Sequence, residues 1–142
     1  MILYQGGFKM NSEELSKLIN DDLKIDNFCI EADWRKQALI YYKWSRLLAE
    51  SRYELNKAKE NRDCIEAALY VDVKTNHEKY NYKSQPTETA IRSIIIQDQN
   101  YIDARDKHFS LTIKTELISS AVKALEHKKS ALEYLNRIPE LY

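Results

Sequence analysis

Along residues 34–73, apolar or small side chains recur at Tyr41, Trp44, Leu48, Ser51, Leu55, Ala58, Ile65 and Leu69, in steps that alternate between three and four. One longer step passes over Arg62. A repeat of 3.5 residues keeps these side chains on one stripe of a helix and is the mark of a coiled-coil seam. A second series, Ala104, His108, Leu111, Thr115, Ile118, Val122, Leu125, Lys129 and Leu132, has the same alternation and predicts a second long helix over 87–137, stopped by Pro139. Between them, residues 75–86 are polar, lose the repeat and end at Pro86. That segment reads as a loop, with Thr87 or Ser84 as the N-cap of the helix that follows.

Ahead of the first long helix, Asn11 with Glu14 three residues on has the form of a capping box over Leu15, Leu18 and Ile19, which predicts a short helix over 11–20. Residues 1–10 read as a flexible arm, and Met10 is a second candidate start. Residues 21–33 are acidic and less regular, with Ile25, Phe28 and Ile30 as anchors across a neighbouring helix. The expected fold is all-α: a long antiparallel helical hairpin, coiled-coil-like, with a short N-terminal helix, forming one domain over 11–142. At 1.5 Å per residue the two long helices would be roughly 60 and 75 Å long, making a rod.

A hairpin of two helices buries one stripe of each, and this seam includes Ser51, Arg62, Thr115 and Lys129, which contribute little apolar area. Apolar residues also lie off the seam. Leu39, Ile40, Leu47, Ile94, Ile95, Phe109, Ile113 and Leu117, with Ile96 and Ile102, would face outward on a lone hairpin. Consecutive residues are turned about 100° apart on a helix, so Ile94, Ile95 and Ile96 cannot share one stripe. A homo-oligomer is therefore expected, with these residues at its interface; the alternative is a monomeric bundle closed by residues 11–33.

Composition narrows the class. The only glycines are Gly6 and Gly7 and the only prolines Pro86 and Pro139, too few for the tight turns of a strand-rich fold. The formal net charge is zero, with 22 basic and 22 acidic residues, so no global field draws the chain to nucleic acid or to an anionic membrane. Cys29 and Cys64 suit reduced thiols, and no run of 18 apolar residues occurs; a cytoplasmic protein with no membrane partner is expected.

Candidate chemistry is sparse. None of His77, His108 and His127 has a glutamate three residues before it, and the cysteines lack zinc-site spacing, so no metal site is expected. With no glycine-rich phosphate loop and no nucleophile elbow, neither a cofactor nor an enzymatic activity is expected. Charge is uneven on a finer scale. Residues 34–59 carry Arg35, Lys36, Lys43, Arg46, Arg52, Lys57 and Lys59 against Glu50 and Glu54, whereas residues 11–33 carry seven acids against Lys17 and Lys24. The loop adds Lys74, Lys79 and Lys83 interleaved with Tyr80 and Tyr82, followed by Arg92. Cations beside aromatic rings are how single strands are held without reading sequence; ordinary solvated charge is the competing explanation.

At Tyr42-Lys43-Trp44 the chain resembles the phage UvsY family of recombination mediators. The likeness begins at residues 22–26 (Asp-Leu-Lys-Ile-Asp), runs through the charged helix 45–73, resumes at 87–91 (Thr-Glu-Thr-Ala-Ile) and closes in register over 121–129 (Ala-Val-Lys-Ala-Leu-Glu-His-Lys-Lys). The resemblance implies a ring-like homo-oligomer that binds single-stranded DNA and contacts a recombinase and a single-strand-binding protein, in a host cytoplasm. One departure bears on the site: the family carries basic residues near the end of the first long helix, whereas residues 65–73 here contain none and Lys74 is the first. DNA contact is therefore expected at the loop, through Lys74, Lys79, Tyr80, Tyr82, Lys83 and Arg92, or on the helix face bearing Lys43 and Arg46. A structural or adaptor coiled coil without nucleic-acid binding is the rival class.

Overall fold

The structure, a computed structural model, describes residues 10–138; residues 1–9 of the expected arm and the Pro139 stop lie outside the described residues. The fold is all-α: α1 (Ser12–Leu23), α2 (Ile30–Thr75), a single 3-10 turn (His77–Tyr80), α3 (Glu88–Gln97) and α4 (Gln99–Arg137), with no strand among the described residues. By contacts it divides into two compact units, Met1–Ala49 with Glu116–Tyr142, and Glu50–Thr115.

The start of α1 is a complete capping box. Glu14 N–H donates to Asn11 Oδ1 at 2.8 Å and Asn11 N–H donates to Glu14 Oε2 at 3.2 Å, satisfying two donors that a helix start leaves open. The helix continues to Leu23, and α2 begins at Ile30, ahead of the Trp34 start expected from the periodicity. Two aspartates explain the early start. Asp33 Oδ2 accepts from Asp26 N–H at 2.7 Å and Asp26 Oδ1 accepts from Phe28 N–H at 2.9 Å, folding residues 26–29 into a tight turn. That turn directs Phe28 outward, 98% exposed, so it does not anchor the acidic segment as expected.

In the first unit the core is Leu15, Trp44, Leu48, Ile118, Ala121 and Leu125, with Ile19, Ile40, Leu47, Leu117 and Val122 packed around it. Leu15 is the buried residue by which α1 docks, and a fully buried leucine contributes about 1.5–3 kcal/mol. The seam is shifted at one position. Lys129, expected in the seam, is exposed; Lys128 is 6% exposed and donates from Nζ to the Asp22 carbonyl at 2.9 Å. Its ammonium serves a carbonyl near the end of α1, which a hydrophobic side chain would leave unpaired. Gln37, also buried, donates from Nε2 to the Leu125 carbonyl at 2.8 Å.

In the second unit the core is Val73, Ile91 and Ile95, with Leu69, Tyr70, Tyr80, Ile94 and Tyr101 against it. Ser51 and Thr115 are buried, their hydroxyls 2.6 Å apart, and Thr115 Oγ1 also donates to the Leu111 carbonyl at 2.7 Å. Arg62, over which the seam steps, lies beside His108, Nη1 to Nδ1 3.4 Å, and bonds Asp63.

The expected continuous helix over 87–137 is broken at Asp98, which takes an extended conformation (φ −70°, ψ 129°) and caps α4 by accepting from Tyr101 N–H at 3.0 Å. The break lets Ile91 and Ile95 enter the core and leaves Ile94 half buried and Ile96 exposed. Of the two caps weighed for α3, Thr87 is the one in place, accepting from Ala90 N–H at 3.3 Å.

Candidate nucleic-acid interface

Six of the expected DNA-contacting residues lie in the second unit, at or after the end of α2. The polypeptide leaves α2 at Thr75 and makes the 3-10 turn, and Asn81 ends it in the left-handed region at φ 66°, a conformation asparagine tolerates better than most residues. Lys79 N–H donates to the Asn76 carbonyl at 3.0 Å, Asn81 N–H to Glu78 at 3.1 Å and Tyr82 N–H to His77 at 3.1 Å. The loop is therefore a built turn.

Asp72, one turn before the end of α2, gathers that turn onto the helix. Its Oδ2 accepts from Tyr80 Oη at 2.5 Å and from Lys79 Nζ at 3.2 Å, and its Oδ1 accepts from Asn76 Nδ2 at 2.8 Å. The Tyr80 hydroxyl, Asn76 amide and Lys79 ammonium hold the Asp72 carboxyl down at about 2. The same carboxylate, with burial and the charge of Asp98 added, pushes Tyr80 up to about 12. Sequence reading missed Asp72 altogether, although an Asp four residues before an Asn at a helix end is the signal for such a pairing.

The remaining bases differ in how they are engaged. Lys74 lies 5.4 Å from the Tyr70 ring centroid, and the Tyr70 hydroxyl donates to Glu88 Oε1 at 2.7 Å. Lys83 and Arg92 are exposed, and neither side chain makes a hydrogen bond or ion pair among the described residues; Tyr82 is half buried. Asp72, Asp98 and Asp103, with Lys107, also line a groove of about 610 Å³ together with Ile65, Leu69 and Ala104.

Lys43 and Arg46 belong to the first unit, on α2. Lys43 Nζ lies 5.2 Å from the Trp44 ring centroid and donates to Asp22 Oδ2 at 2.5 Å; Trp44 Nε1 donates to the same oxygen at 2.8 Å. Burial would raise the Asp22 carboxyl, but the bonds from Lys43 and Trp44 and the charges of Lys43 and Lys128 hold it below the usual carboxylate range. Lys43 is thus committed to holding α1 against α2. Arg46 is exposed.

The residues expected at an oligomer interface also divide. Leu39 is 73% exposed, Phe109 53% and Ile113 57%. Ile40, Leu47, Leu117 and Ile94 are half buried against their own cores. Ile95 is 3% exposed and belongs to the interior, where it packs in one cluster with Val73 and Ile91. Among the described residues no cluster of three or more His, Cys, Asp or Glu forms a metal site, and no helix is long and apolar enough to cross a membrane.

The all-helical fold of this chain has counterparts among solved structures. The structures it resembles are crystal structures of the bacteriophage T4 recombination mediator protein UvsY. One, in lattice type IV, superposes with a TM-score of 0.77 at 14% identity, covering 93% of this chain and 98% of that one. A second, in lattice type II, gives 0.77 at 12% identity, over 93% and 97% of the two chains. No protein-family model and no curated protein matches the sequence. The likeness is one of fold, over nearly the whole length of both chains.

Proposed function

We propose that this chain is a non-enzymatic mediator that binds single-stranded DNA and helps load a recombinase onto DNA coated by single-strand-binding protein, acting as a homo-oligomeric ring. The observation that carries this reading is the superposition on UvsY over 93% of the chain and nearly all of the neighbour. Local chemistry supports it: Lys74, Lys83 and Arg92 stand exposed near a turn that holds Tyr80 and Tyr82, and several copies of a weak basic patch bind one strand tightly by avidity. Exposed Phe109 and Ile113, one helical turn apart on α4, supply apolar surface for association. Titration of the assembled protein into a fluorescent oligothymidylate is expected to show sequence-tolerant binding. Its logarithm should fall linearly with that of salt, by about 0.7 per phosphate neutralised. Absence of binding at low salt overturns the proposal.

One observation favours a structural or adaptor role: Lys43 and Lys79 are each engaged by an aspartate of the same unit. On that reading, changing Lys74, Lys79 and Lys83 together to alanine leaves partner binding intact and there is no DNA affinity to lose.

A further inference from the structure

The donors around Asp72 are arranged as they would be around a phosphate. A carboxylate and a phosphodiester each present two acceptor oxygens sharing one negative charge. Here an ammonium (Lys79), a phenol (Tyr80) and a primary amide (Asn76) converge on such a pair. The Lys79 end of the ion pair is accessible, its side chain 68% exposed against 29% for Asp72, and such a partly exposed pair holds its partners only weakly. The turn that carries the donors also has backbone bonds of its own, independent of the carboxylate: Asn76 N–H to the Asp72 carbonyl at 2.7 Å, Lys79 to Asn76, Asn81 to Glu78 and Tyr82 to His77.

We propose that Asn76, Lys79 and Tyr80 form a site for one phosphodiester of a single strand, and that Asp72 is its resident competitor, an internal anion displaced when the strand binds. The proposal rests on the single-stranded DNA reading above and adds a mechanism to it. An isolated anion has to compete with a tethered carboxylate present at high effective concentration, whereas a strand gripped at neighbouring bases and neighbouring copies supplies its phosphate at a comparable effective concentration. Asp72 thus biases the turn against lone phosphates and toward polymers. Asp98, whose charge also bears on Tyr80, disfavours a second anion beside the first.

The test compares wild-type protein with Asp72→Asn and with Asp72→Asn/Lys79→Ala, each verified as helical by circular dichroism, titrated into the same labelled oligothymidylate across a salt series. Asp72→Asn keeps the shape and removes the charge. It is expected to bind about threefold to tenfold tighter at low salt, with a log–log salt dependence steeper by about 0.7. The gain is expected to vanish in the double variant. An Asp72→Asn protein that binds no tighter than a binding-competent wild type, or a gain that survives Lys79→Ala, overturns the inference while leaving DNA binding standing. A wild-type protein that fails to bind at low salt overturns both.

Discussion

Asp22 accepts from Lys43 and from Trp44, while its own carbonyl accepts from Lys128, so one residue at the end of α1 ties that helix to α2 and α4. Trp44→Phe keeps most of the buried area and removes the indole donor; urea denaturation is expected to show a loss of about 1.5–3 kcal/mol, the range for a hydrogen bond to a charged group. Asp22 and Asp72 are both held below the usual carboxylate range in the folded chain. A carboxyl lowered on folding contributes stability that is present above its unfolded value near 4 and lost as pH falls through its folded value, down to about 2 for Asp72. The urea midpoint of wild type should therefore exceed that of Asp22→Asn/Asp72→Asn at neutral pH, and the gap should close between about pH 4 and 2; a constant gap would show that charge is not its source. At this scale the sequence was partly legible. Trp44 was legible as a seam residue and the Asn11–Glu14 box from its spacing. Asp22 was not, because the distance between Asp22 and Trp44 along the chain carries no periodic signal, whereas the pairing of Asp72 with Asn76 has a local one.

Helix ends and seams were legible wherever local chemistry decides them. Asn11 and Thr87 follow from capping residues, whereas α2 runs to Thr75, two residues past the end expected at Val73. Asp98 was passed over because the seam of α4 begins only at Ala104, so periodicity alone said nothing about where that helix starts. Asp98→Ala removes the cap of α4 and is expected to cost about 0.5–2 kcal/mol in chemical denaturation, whereas Asp98→Asn should be close to neutral. Ser51 and Thr115 read as weak seam positions and prove to be a buried hydroxyl pair. Replacing Ser51 alone by alanine leaves a polar partner behind and should destabilise by about 1–3 kcal/mol; Ser51→Ala/Thr115→Val should recover much of that loss. Lys128 took the place expected of Lys129 because a donor was needed at the Asp22 carbonyl, a tertiary demand that overrides the 3.5-residue repeat.

For the whole molecule, the absence of glycine after Gly7 and the two seams were enough to give an all-α fold with a short first helix, and the UvsY structures share that all-helical fold. The candidate DNA-contacting residues were legible as a cluster in sequence, but their engagement was not: Lys43 and Lys79 are paired within their own units, while Lys83 and Arg92 remain exposed. Leu39 in the first unit, and Phe109 and Ile113 in the second, are exposed apolar side chains that the proposed assembly would cover. Light scattering coupled to size-exclusion chromatography, run with and without a single-stranded oligonucleotide, tests assembly and ligand together. The expected result is a mass of two or more whole single chains, with co-elution of the oligonucleotide at low salt. A single-chain mass at high protein concentration, with the oligonucleotide eluting alone, would contradict it.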